Sequence, residues 1–357
     1  MSEDDSTAAA AGSLSARPAA TIYDIADLAG VNPSTVSRAL TKPGRISART
    51  EKKIRDAAAQ LNYRVNPMAR ALPTGRTRTL GLLVADLTNP MFFDVMRGAE
   101  QSASRSGYTL VLAESQESGE RELQAAGRVA PSVDGLVLVT TRMTDDEICR
   151  IAGGKPLVVV NRRVESIPAV VPDLQSGVGE ALEHLHGAGH RSVAYLSGPA
   201  RSWMSRARWE LILDGAVALG MNVVEIGPNA PTLDGGRAAL TRVRAAGVTA
   251  VIAYNDLVAI GLMQQAQEGG LDVPGAMSIV GFDDIFGSDF TSPKLTTISI
   301  PYERIGELAI GEVLALIGDA PGVTTDPGAA EGTSGVAAAD LATRLTVRGS
   351  TGPARGT

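Results

Sequence analysis

The 357-residue sequence is poor in cysteine, histidine and aromatic residues, with a single Cys149, three histidines and 4% Phe, Trp and Tyr. One cysteine excludes an internal disulfide framework and a thiolate zinc site, and it fits a reducing compartment. No run approaches the roughly 18 apolar residues that a membrane span needs. The amino terminus carries Glu3, Asp4 and Asp5 where a signal peptide needs positive charge, and Ala8 to Ala11 is too short for its apolar segment. A cytoplasmic location without membrane contact is therefore expected. The GxxxxGK[ST] phosphate loop, the GxSxG nucleophile elbow and the HExxH zinc helix are missing too. Asp283 and Asp284 are adjacent, so they project differently and make a poor acid/base pair. His184 and His186 point to different helix faces, and Gly187 and Gly189 interrupt a helix between His186 and His190. No metal, no cofactor and no enzymatic activity are expected.

What is present is enough apolar sequence, 44%, to bury a sizeable core, over a length that suggests two or three domains at roughly 100–200 residues each. The net charge of −6 is unevenly spread: residues 20–80 carry a net +7 and residues 81–357 a net −11. A basic head on an acidic body suits a polyanion-binding module joined to something else, because phosphate neutralisation dominates nucleic-acid affinity.

Residues 1–19 are Ala, Ser and acidic residues without periodicity and read as a disordered arm. Thr21 and Asp24 form a capping signal for a short helix over 22–29, with Ile22, Ile25, Ala26 and Ala29 on one face and Gly30 at its end. Asn32 followed by Pro33 opens a second helix through Leu40. A third starts near Ser47 and runs through Ile54, Ala57, Ala58 and Leu61, with Arg49, Lys52, Lys53 and Arg55 at its other positions. This basic three-helix unit, placed at 20–64, fits a helix-turn-helix DNA-binding domain, although spacing alone also admits a solvated helical hairpin. Asn66 and Pro67 start another helix of about one and a half turns, too short to stand alone and cut by Pro73 and Gly75. Residues 65–79 are thus a hinge and linker.

From residue 80 to about 350 apolar β-rich runs alternate with helical segments, the signature of parallel α/β sheets. Buried-strand candidates are 80–85, 109–113, 135–139 and 157–160, then 192–196, 222–226, 250–253 and 278–281. Two sets of four predict two doubly wound lobes, one over 80–171 plus 302–320 and the other over 172–300 plus 341–350. Ligands of such folds bind at the carboxyl ends of the strands, here in a cleft between lobes. Residues 318–340, rich in Gly, Ala, Pro and Thr, read as a flexible insertion before a last strand near 341–347, and 351–357 as a tail.

The motifs carry a resemblance. TIYDIADLAGVNPSTVSRAL at 21–40, LNY at 61–63 and ARAL at 69–72 resemble the lactose/galactose repressor family of bacterial transcription regulators. So do GLLVADLTNP at 81–90, HLHGAGHR at 184–191, YND at 254–256, GFDD at 281–284 and RLTVRGST at 344–351, and the match spans nearly everything from Thr21 to Thr351. The resemblance implies a periplasmic-binding-protein-like body of two parallel-sheet lobes behind an all-α head. It implies a homodimeric repressor of double-stranded operator DNA, controlled by a small-molecule effector such as a sugar. No heptad run follows Val347, so a coiled-coil tetramer is not expected, while tetramers by other surfaces stay open.

Carried over residue by residue, the base-reading positions are Pro33, Ser34 and Arg38. Arg38 can bond guanine O6 and N7 together, whereas Pro33 offers only apolar contact. Thr21, Tyr23, Asn32, Thr35 and Ser37 are of types that contact phosphate, with capping as the alternative for Thr21 and Asn32. Leu72 aligns with a minor-groove wedge, or else packs between paired hinge segments built on Asn66, Pro67, Ala69 and Arg70. In the cleft the resemblance points to Asn89, Phe92, Asn161, Asp173, Arg208, Asn255 and Asp283, with Trp203 either stacking on a ligand or packing under a loop. Leu174, Leu211 and Pro231 depart from the family's usual residues, so the effector's identity does not carry over. Two competing readings are a solute-binding protein of the same body fold and an architectural DNA binder without effector control.

Overall fold

The computed structural model describes residues 20–41, 44–63, 75–318 and 341–354. The chain divides into two compact units, Met1–Thr77 and Arg78–Thr357. The hinge residues Asn66, Pro67, Ala69, Arg70 and Leu72, the amino-terminal arm and the 319–340 part of the insertion lie outside the described residues.

In the head, α1 (Ile22–Ala29), α2 (Pro33–Thr41) and α3 (Ala48–Gln60) close around Ile25, Ala26, Val36, Ala39, Ile54 and Ala57. Thr21 forms a reciprocal capping box with Asp24: its hydroxyl accepts from the Asp24 amide, and Asp24 Oδ2 accepts from the Thr21 amide at 2.6 Å. Gly30 ends α1 in the left-handed region at φ 65°, a conformation that costs glycine nothing. The Asn32 carbonyl accepts from Thr35 and Val36, starting α2 with Pro33 in its first turn. Ser47 caps α3 by accepting from Thr50 at 3.2 Å.

The body holds two sheets. The first runs β2 (Thr109–Glu114), β1 (Thr79–Val84), β3 (Gly135–Val139), β4 (Leu157–Val160) and β5 (Ala169–Val170), all parallel. The second runs β11 (Arg344–Thr346), β10 (Thr296–Ser299), β9 (Ser278–Asp283), β8 (Ala250–Ala253), β6 (Ser192–Leu196) and β7 (Asn222–Ile226), parallel except for β11. The orders 2-1-3-4-5 and 7-6-8-9-10 repeat one doubly wound topology, which places a switch point between β1 and β3 and another between β6 and β8. Central strands β3, β4 and β8 are buried throughout and read as continuous apolar runs, as parallel strands covered on both faces must.

The helix Tyr302–Ile317 follows β10 of the second lobe yet packs on the helix Met91–Arg105 and on β3 and β4 of the first. Glycine allows the approach, because a Cβ on Gly98 would run into the Glu303 carbonyl and one on Gly306 into the Val95 carbonyl. Three details differ from the sequence reading. β1 starts at Thr79, inside the expected linker. Two further strands, β5 and β10, join the sheets. The expected tail is packed as far as residue 354: Thr351 Oγ1 bonds His184 at 2.9 Å, and the Ala354 amide donates to the Ala188 carbonyl.

No helix among the described residues is long and apolar enough to cross a membrane. No group of three or more His, Cys, Asp or Glu side chains among them is placed to hold a metal ion. His190 instead bridges core elements, Nδ1 with Thr249 at 2.8 Å and Nε2 with Ser278 and the Gly352 carbonyl. A carbonyl only accepts, so the proton sits on Nε2 and Nδ1 accepts from Thr249.

Candidate functional site

Every loop that lines the cavity leaves a sheet at its carboxyl edge. After β1, the Asn89 side chain accepts from the Met91 amide and turns the chain into the helix that carries Phe92. Glu117 follows β2, Thr140 and Arg142 follow β3, and Asn161 follows β4. From the second lobe come Tyr254 after β8, Asp283 at the end of β9, Met204 and Arg208 on the helix Trp203–Ala218, and Pro231 in the loop before the next helix. Tyr302 completes the lining from the start of its helix. The empty space, counted out to solvent, is about 330 Å³. Between the side chains as they stand there is room for little more than one water.

Arg208 occupies the centre. Its Nη2 donates to Asp283 Oδ1 at 3.0 Å and its Nη1 to the Tyr254 carbonyl. The guanidinium lies over the Phe282 ring, 3.8 Å from the centroid, a desolvated cation–π arrangement. Both partners of the ion pair are almost fully buried, at 3% and 2% side-chain exposure. Burial raises the Asp283 pKa, and the neighbouring guanidinium and the Tyr302 hydroxyl pull it back. The Tyr302 hydroxyl donates to the same Oδ1 at 2.8 Å, so the two lobes are joined at this carboxylate.

A second pair sits on the first lobe. Arg142 Nε donates to Glu117 Oε2 at 2.7 Å and Nη1 to the Thr140 carbonyl at 2.8 Å. Burial works against the Arg142 charge, but the Tyr254 hydroxyl and Glu117 outweigh it and raise the pKa. Two polar atoms in the lining have no hydrogen-bond partner among the described residues: Asn161 Oδ1 and Arg208 Nε.

Five of the eight cleft positions named from the sequence, Asn89, Phe92, Asn161, Arg208 and Asp283, meet at this cavity. The other three do not line it. Asp173 caps the helix Leu174–Gly187, accepting from the Gln175 amide at 3.0 Å and from the Ser176 hydroxyl. Asn255 caps the helix Asp256–Glu268 through the Val258 amide, and its Nδ2 holds the Pro231 carbonyl at 3.1 Å. Trp203 is half-buried against the main core, which favours the packing alternative. Arg142, Glu117, Thr140, Tyr254 and Tyr302 were missed. The rule that ligands sit at strand carboxyl ends would have found Arg142, a charged residue three positions beyond β3.

In the head, Ser34 and Arg38 are exposed one turn apart on α2, and Pro33, Thr35 and Ser37 are half-buried. Tyr23 is exposed on α1, and Asn32 is exposed just ahead of α2. Thr21 is also exposed, but its hydroxyl is engaged in the capping box.

Comparisons with known proteins agree with this architecture. A family model for bacterial regulatory proteins of the lacI family matches residues 21–66, and one for a periplasmic binding protein-like domain matches 182–351. The chain is 33% identical over 313 residues to the HTH-type transcriptional repressor PurR of Vibrio campbellii (strain ATCC BAA-1116), covering 84% of this chain and 92% of that one. Among solved structures, the lac repressor dimer bound to operator and the anti-inducer ONPF is similar with a TM-score of 0.81 at 24% identity, over 94% of this chain and 100% of that one. The cellobiose complex of the transcriptional regulator CelR is similar with a TM-score of 0.65 at 26% identity, over the same shares.

Proposed function

The chain belongs to the lacI family of bacterial regulatory proteins, and on that premise we propose that it represses transcription as a homodimer. It reads a near-palindromic operator and is controlled by a small polyhydroxylated effector, a sugar or sugar derivative, in the cavity between the lobes. The observation that carries the reading is the union in one chain of a basic helix-turn-helix head with a cavity whose lining keeps an acceptor and a donor without a partner among the described residues.

In the head, Arg38 reads a guanine and Ser34, one turn away on the same exposed face, a neighbouring base. Pro33 adds an apolar contact, and Tyr23, Asn32, Thr35 and Ser37 fix the register on phosphates. Thr21 serves first as a cap. Leu72 acts as the minor-groove wedge on a hinge built from Asn66, Pro67, Ala69 and Arg70, bending the operator at the cost of one unstacked step. In the body, Arg208, Asp283, Asn161 and Asn89 supply the donors and acceptors that hydroxyl groups require, and Phe92 an apolar wall.

An effector larger than a water needs the lobes to part or the Arg208–Asp283 pair, which lies within the second lobe, to yield, and by the first route its binding changes the lobe angle. If that change weakens operator binding, the operator must weaken effector binding by the same factor. The test is capture of fragmented DNA from the source organism on the purified protein at physiological salt, followed by sequencing. Low salt would reward the +7 head indiscriminately. A shared near-palindromic site is the expected result, and its adjacent genes supply effectors to try. Fragments without a shared site, with and without a metabolite panel, would refute sequence-specific repression.

A further inference from the structure

Four ionised side chains meet in the cavity as two closed pairs, Arg208 with Asp283 and Arg142 with Glu117. We propose that the Glu117–Arg142 pair is the specificity element of this site: it sets the cavity for an uncharged effector and turns away phosphorylated or carboxylated forms of the same molecule. The inference rests on the cavity being the effector site.

Each guanidinium already has a carboxylate partner. With both cations matched by carboxylates, the lining has no net charge to offer an anion. A phosphate brought up to Arg142 must also face Glu117, whose Oε2 is 2.7 Å from Arg142 Nε. Like charges so close in a desolvated site oppose each other strongly.

Arg142 is not free to swing away from its carboxylate toward a ligand. Its Nη1 is spent on the Thr140 carbonyl, and its own amide donates to the buried Glu122 Oε2 at 2.8 Å. Its carbonyl lies against Gly119, where a Cβ would collide with it. The side chain is only 4% exposed. The cation is therefore fixed and already satisfied.

The unsatisfied groups point the same way. Asn161 Oδ1 needs a donor and Arg208 Nε needs an acceptor, and both belong to residues at least nine-tenths buried in the lining. A hydroxyl or an amide serves both needs, because it donates and accepts. The phosphoryl group of a monoester dianion, or a carboxylate, seated there has no hydrogen to give Asn161 and would leave that oxygen buried without a partner; inorganic phosphate, which keeps a hydrogen, tests the charge argument alone.

The test uses the full chain and inorganic phosphate as the probe, read by titration calorimetry on the wild type, Arg142→Met, Glu117→Gln and Glu117→Gln/Arg142→Met. Phosphate bound by the basic head is common to all four and drops out of the comparison. The wild type and Arg142→Met should give the same heat. Glu117→Gln leaves the cation unmatched and should bind phosphate about tenfold more tightly or better, and the gain should vanish in the double variant. Wild-type binding that Arg142→Met abolishes, or no gain in Glu117→Gln, overturns the proposal. Thermal melts and operator binding of the same four proteins are measured alongside. A Glu117→Gln protein that melts with the wild type and still gains nothing is a refutation, not a folding failure. Loss of the proposed function would instead show as an absent operator site in all four, whatever phosphate does.

Discussion

Tyr302→Phe removes one oxygen from the place where the lobes are joined, and its cost can be worked from the geometry. The hydroxyl belongs to a helix packed in the first lobe and donates to Asp283 Oδ1 of the second at 2.8 Å. Burial pushes the Tyr302 pKa well above its ordinary value, with the Asp283 charge adding to the effect, so the group is a donor at any working pH. A hydrogen bond to a charged group contributes about 1.5–3 kcal/mol. Asp283 keeps Arg208 at 3.0 Å in the variant, so the lower part of that range, about 1.5–2 kcal/mol, is expected. That corresponds to about a ten- to thirtyfold rise in the population with parted lobes. The assay is a double-mutant cycle of Tyr302→Phe and Asp283→Ala in urea denaturation, with small-angle scattering to read the opening. A coupling energy below about 0.3 kcal/mol would lie within ordinary additivity, and with an unchanged radius of gyration it would refute the role given to this bond.

His190 is neutral in the folded protein because burial lowers its pKa, whereas the unfolded residue titrates near 6.5. Its stabilisation is complete above that value and is lost as pH falls from there through the folded pKa. Melting temperatures between pH 8 and 5 should drop more steeply for the wild type than for His190→Asn, and parallel curves would contradict the assignment; His184, also lowered by burial, leaves the variant a residual slope. Gly306→Ala sets a Cβ against the Val95 carbonyl, a backbone atom that cannot move aside as a side chain end would. It should cost about 1–3 kcal/mol in the denaturant midpoint. Arg38→Ala should lose about 1–3 kcal/mol at a single base position of the operator, and an unchanged sequence preference in a binding selection would remove the base-reading role.

The head was the most legible part of the sequence because its signals are local. A capping box needs only Thr21 and Asp24, and the start of α2 only Asn32 and Pro33, so the helix over 22–29 is found where the spacing puts it. The central strands were legible for a different reason, since parallel strands buried on both faces must be spelled in continuous apolar letters. β10 breaks that rule. Its Thr296 and Thr297 are fully buried, yet they are admitted by partners distant in sequence: Thr297 donates to Asp256 and Thr296 bonds Thr351. A hydroxyl paired by tertiary structure looks, in sequence, like a loop residue.

The cavity was legible by residue type and illegible by geometry. Asp173 and Asn255 offer the same oxygen chemistry as Asp283 and Asn161, and only the structure separates two that cap helices from two that line the cavity. The separating property is backbone conformation. Nine non-glycine residues among those described have positive φ, and four of them line the cavity: Glu117 at 59°, Thr140 at 55°, Asn161 at 62° and Asp283 at 106°. Such conformations cost about 1–3 kcal/mol each and persist where the surroundings over-determine them. For three of the four the restraint is visible: Glu117 is held by Arg142, the Thr140 hydroxyl by the Val139 carbonyl, and Asp283 by Arg208 and Tyr302. Asn161 has its amide in the sheet, bonded to Val170, but its side-chain oxygen has no partner among the described residues. Asparagine enters the left-handed region more readily than most residues, so Asn161 holds this conformation without a side-chain restraint. The two lining atoms without a partner among the described residues, Asn161 Oδ1 and Arg208 Nε, are therefore where the proposed effector contacts are to be tested.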